Sequence, residues 1–467
     1  MIRMPLAEAV GAMPGRWQGT AGSGELAGVS TDTRTLQPGA LYFAIRGLSH
    51  DGHRFIPNAW EAGACACVAD EVGAEALGKN IAGPLIVVND TVAALGQLAR
   101  HYRRQLPATV IAVTGSNGKT TTKGMLAHVL SAHGKCHAAV RSFNNQIGVP
   151  LTLLGAAEDD EFLVVEIGTN APGEIAALAA LTDPDAGLLT SIGDAHLEGL
   201  GGRDGVVREK MALFDFVRAG GDAVIECAAA RRVGTLPRLR ELSWTTFGHE
   251  ADADVCVHDI ETDLRQTEAV LSGRWRLRLG FGGAHNATNA AGVFALCRRL
   301  GVAEDAIVAA LATYHLPELR MNVHAIDGIT VVEDCYNANP SSMAAAIDLL
   351  SATGPGRRVL VVGEMAELGD DAVDLHRRIG EQAARAGIEF IVSIGRLARR
   401  VSEAASAASA QVRTRHFADA TAAAEGLRGC LHTGDTVLIK GSRSARLERI
   451  MQAWRAQAAD GVAAVGV

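Results

Sequence analysis

No C-x-x-C pair occurs among the eight cysteines of this 467-residue chain, Cys65, Cys67, Cys136, Cys227, Cys256, Cys297, Cys335 and Cys430. They read as small buried hydrophobes, and a reducing compartment suits them. No stretch is apolar for long enough to span a bilayer, which argues against membrane insertion. The N-terminus lacks the unbroken apolar core of a cleaved signal, because Glu8, Gly11 and Pro14 interrupt it. A cytoplasmic location is the expectation. Lysine and arginine form no single basic stripe and the formal net charge is −8, so nucleic acid is a poor candidate partner. No internal repeat is evident.

What is present is an ordinary globular composition, 48% hydrophobic and 21% charged, in a chain too long for one core. The early part holds short apolar runs (LYFAIRG, CACVAD, LIVVND) among Gly, Pro and Asp, suggesting a small α/β unit, and residues 100–107 read as a helix end and linker. From Thr109 strands alternate with amphipathic helices: TVIAVTG, a helix from Lys119, FLVVEIG, a helix from Gly173, AGLLTSIG, a helix from Asp204, then DAVIEC. That alternation predicts a mostly parallel sheet covered on both faces. Between Leu236 and Gly283 the segments SWTTFG, DVCVHDI and RWRLRLGF read as an antiparallel excursion, followed by helices from Asn286 and Glu304. A second boundary falls near Tyr314, after which ITVVEDC, RRVLVVGEM, EFIVSIG and DTVLIKG are strands of a doubly wound, Rossmann-like unit. The predicted fold is α/β in three domains, 1–100, 101–314 and 315–467, with a frayed tail over 456–467.

The sharpest local signal is TVIAVTGSNGKTTTK, residues 109–123, a β-branched run feeding a Gly-bounded loop that opens into a helix. This is the layout of a phosphate cradle. Gly115 and Gly118 let the backbone present N–H groups, the helix N-terminus adds its positive dipole end, Lys119 reaches the terminal phosphates and Thr120 can serve Mg²⁺. The strict pattern G-x-x-x-x-G-K-[ST] is not met, since Val113 stands at the first Gly position. A Gly-rich turn with a chance Lys-Thr pair is the structural alternative; the flanking strand and helix favour the nucleotide reading. The loop alone names no reaction.

Three further residues join it with less force. Glu166 ends the strand FLVVEIG, where open α/β sheets bind ligands and where a Mg²⁺ carboxylate belongs, although a lone Glu there is commonly a cap or surface group. His196 ends the next strand segment and could bind metal or move protons, or be structural. Lys210, within RDGVVREKMALFDFV, would by itself be a solvated helix lysine.

Six motifs, TGSNGKTTTK, SFNNQIGVPLTLL, EIG, SIGDAHLEGLGG, HNATNA and DCYNANP, occur in the order found in the Mur ligases, which this chain resembles from about Ser30 to Ser444. The resemblance implies a UDP-sugar-peptide domain, a P-loop ATPase and a C-terminal Rossmann-like lobe. It implies ATP contacts from Thr114, Gly115, Ser116, Asn117, Gly118, Lys119, Thr120 and Thr121, adenine-side Asn286 and Asn289, and Arg320 and Asp334 from the last lobe. It implies Mg²⁺ ligands among Thr120, Glu166, His196 and Lys210, with Lys119, Lys210 and His196 catalytic and Lys210 at the position of a carbamylated lysine. The more usual K-A-K is here Arg208-Glu209-Lys210. For substrate it points to Ser30, Asp32 and Arg34 in STDTRT, to Asn144 and Asn145, and to Asn337. DCYNANPSSM and GEMAELGD are similar to those of members that add D-alanyl-D-alanine to UDP-N-acetylmuramoyl-tripeptide, with closure of the last lobe before chemistry and a monomeric enzyme as further expectations. A diamino-acid-adding relative and an ATP-driven binding switch are the alternatives.

Overall fold

The computed structural model describes residues 1–47, 50–78, 82–139, 141–233 and 241–464. Three large sheets organise them. In the first, strands Arg16–Gln18, Leu85–Val88, Ala66–Asp70, Leu41–Phe43 and Val29–Ser30 lie side by side, all parallel except the first pair. The three apolar runs of the early sequence are its middle strands. A short antiparallel pair, Arg3–Pro5 with Glu25–Ala27, accompanies it.

The second sheet has nine strands. Cys136–Ala138, Phe162–Glu166, Thr109–Thr114, Ala186–Leu189, Asp222–Glu226 and Ser243–Gly248 are consecutive parallel neighbours. Because Thr109–Thr114 has Phe162–Glu166 on one side and Ala186–Leu189 on the other, the chain reverses its winding direction there, and its carboxyl end opens on a crevice. The period of two decides the packing. Val110 and Ala112 join a core with Leu163, Val165 and the first sheet's Leu41, Phe43 and Val68. Ile111 and Val113 face the helices Lys119–Ser131 and Ala284–Arg299 through Met125, Leu126, Val293 and Phe294.

Two expectations about the excursion need correction. SWTTFG is not antiparallel: Ser243–Gly248 extends the parallel sheet, because Phe247, fully buried beneath the helix Ala284–Arg299, needs the same cover as its neighbours. Val255–Thr262 pairs in parallel with it over two residues and then antiparallel with Thr267–Leu271, a strand the sequence reading missed; Trp275–Leu279 closes the antiparallel edge as expected. Residues 234–240, which include the expected start at Leu236, lie outside the described residues.

The third sheet contains the four anticipated strands, Ile329–Asp334, Thr436–Lys440, Arg358–Gly363 and Phe390–Ile394, mutually parallel in that spatial order. Two edges were not anticipated, the antiparallel Asn322–Ile326 and the parallel Arg413–Phe417, whose first four residues are exposed. The tail expected to fray is helical to Ala464, and 465–467 lie outside the described residues.

The first and second sheets meet across the helix Thr91–Arg103, which buries Ala94, Leu95, Leu98, Ala99 and Tyr102 and is capped by Asp90 accepting from the Val92 and Ala93 N–H groups. At its end Arg103, 1% exposed, donates to the Thr182 and Asp183 carbonyls, each at 2.9 Å, and to Asp185 at 3.0 Å. Asp185 also accepts from the Val110 N–H at 2.8 Å, so this cation fixes the start of the P-loop strand. Arg103→Ala is expected to destabilise the chain by about 3 kcal/mol, the lower end for a broken buried pair because Asp185 keeps Arg218 beside it. Urea unfolding with no change in midpoint would refute this.

Candidate active site

The cleft lies where the carboxyl ends of the second and third sheets face each other, a cavity of about 1390 Å³. Its floor is the loop after Thr109–Thr114. Gly115 and Gly118 have φ of 151° and 80°, and a Cβ on either would sit 1.9 Å from Thr190 Oγ1 or 2.4 Å from Asn289 Oδ1. Only glycine fits both the turn and the close approach. The neighbouring strand end braces the loop: the Gly193 N–H donates to Ser116 Oγ at 2.9 Å and the Asn117 N–H to Ser191 Oγ at 3.0 Å, while Thr114 Oγ1 donates to the Ile167 carbonyl. The helix Lys119–Ser131 starts directly from Gly118, and Gly118, Lys119, Thr120 and Thr121 line the cleft. A first helical turn leaves its N–H groups without intrahelical partners, which suits an anion. Lys119 Nζ folds back to the Gly115 and Ser116 carbonyls at 2.7 and 3.3 Å; burial lowers its pKa, with the Glu166 carboxylate opposing.

Beside the loop, Glu166 is 2% exposed. Its Oε1 accepts from Asn144 Nδ2 at 2.8 Å, whereas Oε2 is buried with no hydrogen-bond partner, 4.0 Å from Lys123 Nζ. A buried carboxylate oxygen with a free lone pair, in the same cleft as the phosphate loop and Thr120, fits a hard divalent cation. Among the described residues no cluster of three His, Cys, Asp or Glu side chains forms an all-protein cage. His196, at φ 56°, places Nδ1 2.5 Å from Glu367 Oε2 of the third-sheet lobe, and that imidazole holds the Glu367 carboxyl below the usual range against the effect of burial.

Lys210 lies in the helix Arg203–Met211, fully buried behind the cleft wall, and its Nζ has no hydrogen-bond partner. Burial, then the nearby Lys119, push its pKa well below that of free lysine, while Glu209 opposes. The bland reading of a solvated lysine is therefore overturned. Glu209 accepts from the Gly173 and Ile175 N–H groups, both at 2.7 Å, so the Glu in this R-E-K sequence anchors the lysine helix to the loop that follows Glu166.

From the other lobe, Arg320 stacks on Tyr336 at 4.3 Å and donates to Thr120 Oγ1 at 2.9 Å. Asp334 and Lys440, register partners on adjacent strands, are paired at 2.6 Å, and Lys440 also donates to the Asn337 carbonyl. Asn286, Asn289 and Asn337 line the cleft, as do Asn144 and Asn145; Asn145 Oδ1 accepts from the Ile147 and Gly148 N–H groups at the start of the helix Gly148–Gly155. Ser30, Asp32 and Arg34 do not line it. They form a separate turn in which Ser30 Oγ donates to the Asp32 carbonyl and the Arg34 guanidinium, 2.6 Å away, holds the Asp32 carboxyl at about 2. Sequence reading missed Lys440, Glu367 and Ser341 of the cleft; a lysine ending the apolar strand DTVLIKG was the one available signal.

Three family descriptions match the chain: Mur ligase family, catalytic domain, at residues 25–103; Mur ligase middle domain, at 113–297; and Mur ligase, glutamate ligase domain, at 319–443. The UDP-N-acetylmuramoyl-tripeptide–D-alanyl-D-alanine ligase of Escherichia coli K12 is 35% identical over 97% of this chain and 98% of its own length. That of Bacillus subtilis 168 is 33% identical over 91% and 92%. The crystal structure of MurF from Acinetobacter baumannii superposes with a TM-score of 0.84 at 29% identity, covering 96% of this chain and 98% of that one. MurF ligase from Thermotoga maritima, solved in complex with ADP, gives 0.79 at 28% identity over 91% and 96%.

Among the further carboxyls that border the cleft, Glu226 stands apart. Glu226 ends the strand Asp222–Glu226 and accepts from the Ala229 N–H at 3.1 Å; burial, reinforced by Glu250, raises its pKa from 4.5 to about 7. With the folded value above the unfolded one, its contribution is fully present below about 4.5 and is lost as pH rises through about 7. Glu226→Gln is thus expected to match the parent in urea unfolding at low pH and to exceed it at pH 8. Equal stability at pH 8 would count against the assignment.

Proposed function

The chain belongs to the Mur ligase family, and from that premise we infer its reaction: it is an ATP-dependent carbon–nitrogen ligase that adds D-alanyl-D-alanine to UDP-N-acetylmuramoyl-tripeptide, producing the pentapeptide precursor of peptidoglycan. The observation that carries this reading is 33–35% identity over 91–97% of the chain to ligases of that name, together with a phosphate loop facing Arg320, Asp334 and Asn337 across one cleft. Cell-wall synthesis, and through it cell shape and division, is the process served.

The chemistry follows from the parts. A carboxylate oxygen of the tripeptide attacks the γ-phosphorus of ATP, the bond to ADP breaks, and an acyl phosphate forms. The dipeptide amine then attacks the acyl carbon, phosphate leaves and the nitrogen loses a proton. Lys119 and the N–H groups of residues 115–120 offset charge on the transferring phosphoryl group, the largest expected term. Asn286 and Asn289 lie on the side assigned to adenine, and Arg320 and Asp334 complete the nucleotide site from the third-sheet lobe. Closing that lobe about the segment near Tyr314 keeps water from the acyl phosphate.

Thr120 and Glu166, with His196 and a carbamylated Lys210, are the residues that would hold Mg²⁺. Bound there, the ion would add positive charge beside the phosphates. Carbamylation needs a neutral amine: Lys210 nitrogen attacks CO₂, a C–N bond forms and a proton leaves, which turns a buried unpaired base into an anion. The buried, unpartnered Nζ supports this.

We assign residues 1–100 to UDP-sugar-peptide binding, with Ser30, Asp32 and Arg34 as contacts, 101–314 to ATP, and 315–467 to the closing lobe. Asn144, Asn145 and Asn337 are assigned to the peptide substrates. All eight thiols are free, which supports a reducing cytoplasm; no described helix is long and apolar enough to cross a membrane.

With Mg-ATP and the UDP-tripeptide, phosphate release and a pentapeptide product are expected only when D-alanyl-D-alanine is supplied, and Lys119→Ala should lower the rate by roughly 100-fold or more. Acceptor-independent hydrolysis would sink the ligase reading. Incubation with ¹³C-bicarbonate should give a carbamate resonance absent from Lys210→Ala; its absence from the parent chain would remove the carbamate.

A further inference from the structure

We propose that Asn117 is a positioning residue that couples the phosphate loop to the opposite lobe through a closed ring of hydrogen bonds with Ser341 and Asn339. The proposal rests on the reading that this loop binds ATP.

Asn117 has its backbone committed to its own lobe. Its N–H donates to Ser191 Oγ at 3.0 Å and its carbonyl accepts from Thr190 Oγ1 at 2.5 Å, which fixes the loop at the end of the adjacent strand. The side chain crosses the cleft. Asn117 Nδ2 donates to Ser341 Oγ at 2.7 Å, Ser341 Oγ donates to Asn339 Oδ1 at 3.0 Å, and Asn339 Nδ2 donates back to Asn117 Oδ1 at 2.8 Å. Each of the three groups donates once and accepts once, so the ring defines the orientation of both amides and the hydroxyl. A local structural role would not require an amide whose two halves both bond to residues more than 220 positions away.

The far side of the ring is equally tied down. Asn339 Oδ1 also accepts from the Ser342 N–H at 2.9 Å and Ser342 Oγ from the Asn339 N–H at 3.0 Å, the reciprocal cap of the helix Pro340–Ser351. Five residues, 335–339, separate that helix from the strand Ile329–Asp334, and this segment carries Asn337, whose carbonyl accepts from Lys440. Fixing Asn339 therefore fixes the segment that presents Asp334 to the nucleotide and Asn337 to the peptide substrate. Two other polar contacts across the cleft, Arg320 with Thr120 and His196 with Glu367, use groups that phosphate and metal would claim, so they must rearrange when substrates arrive. The Asn117 ring is neutral and uses none of those groups, and can hold the lobes in register while they exchange partners.

The expected result is a kcat effect without an ATP-binding effect. Ser341→Ala, which alters no residue of the phosphate loop, should lower kcat roughly 3- to 10-fold, as loss of one hydrogen bond implies, with KM for ATP within about twofold. Ser341→Thr, which keeps the hydroxyl, should restore the rate. The double variant N117A/S341A should be no slower than N117A, because both remove the same ring. Wild-type kcat in Ser341→Ala, no recovery in Ser341→Thr, or losses that multiply in the double variant would each overturn the clamp. ADP affinity, measured by calorimetry on every variant, reports that the loop is folded; if N117A does not fold, the Ser341 pair decides alone. A parent chain that binds no ADP would remove the nucleotide reading and the clamp together, whereas ADP binding with an unaffected Ser341→Ala removes only the clamp.

Discussion

Two lysines without a carboxylate in contact, Lys210 fully buried and Lys119 half-buried at the cleft floor, set the terms for the rest of this molecule. Taking an ammonium out of water is costly, and a chain normally avoids it or neutralises the group. Lys119 recovers part of the cost from two carbonyls of its own loop; Lys210 has no hydrogen-bond partner at all. Such positions hold only where surrounding packing over-determines them. Here a sheet covered on both faces supplies it, with the core under the first sheet on one side and the helices Lys119–Ser131 and Ala284–Arg299 on the other. The strand Thr109–Thr114 contributes to both cores and delivers its loop to the crevice with little freedom to relax.

The site is consequently polar, and two separately packed lobes build it. Glu166, Asn144, Thr120 and the glycines belong to the floor, whereas Arg320, Glu367, Asn339, Ser341 and Lys440 arrive from a sheet with its own pair of cores. The first sheet behaves differently from the third. It shares a core with the floor, to which Arg103 fastens the helix between them, so its turn at Ser30, Asp32 and Arg34 stands at a fixed distance from the phosphate loop.

How much of this could be read from the chain depends on how far apart the interacting residues lie. The phosphate loop was legible because the identities of Gly115, Gly118, Lys119 and Thr120 dictate backbone shape and charge within one short segment. The anticipated strands of the third sheet were legible as apolar runs. Arg413–Phe417 was not, since an exposed edge strand carries charges that look like a loop. Ser243–Gly248 was misassigned because the polar–apolar alternation is the same whether its neighbour runs parallel or antiparallel; only the helix above Phe247 distinguishes the two. Lys210 was visible through resemblance alone, as nothing in its helical surroundings signals full burial. Glu367 and Ser341 acquire their meaning from His196 and Asn117, far away in sequence, and no local pattern encodes such a pairing.

The strand order of the third sheet has a consequence for how the protein is made. Thr436–Lys440 is the last strand among the described residues, yet it lies between Ile329–Asp334 and Arg358–Gly363, so those two cannot be joined through it until it has been made. The first two sheets are finished by Leu279 and can fold while synthesis continues, as domains generally do from the N-terminus. The third must wait with an open seam, an unpaired edge on each side. A chain made as far as Leu279 therefore holds every strand of the sheet that carries the phosphate loop, while Lys440, which faces that loop across the cleft, is still to come.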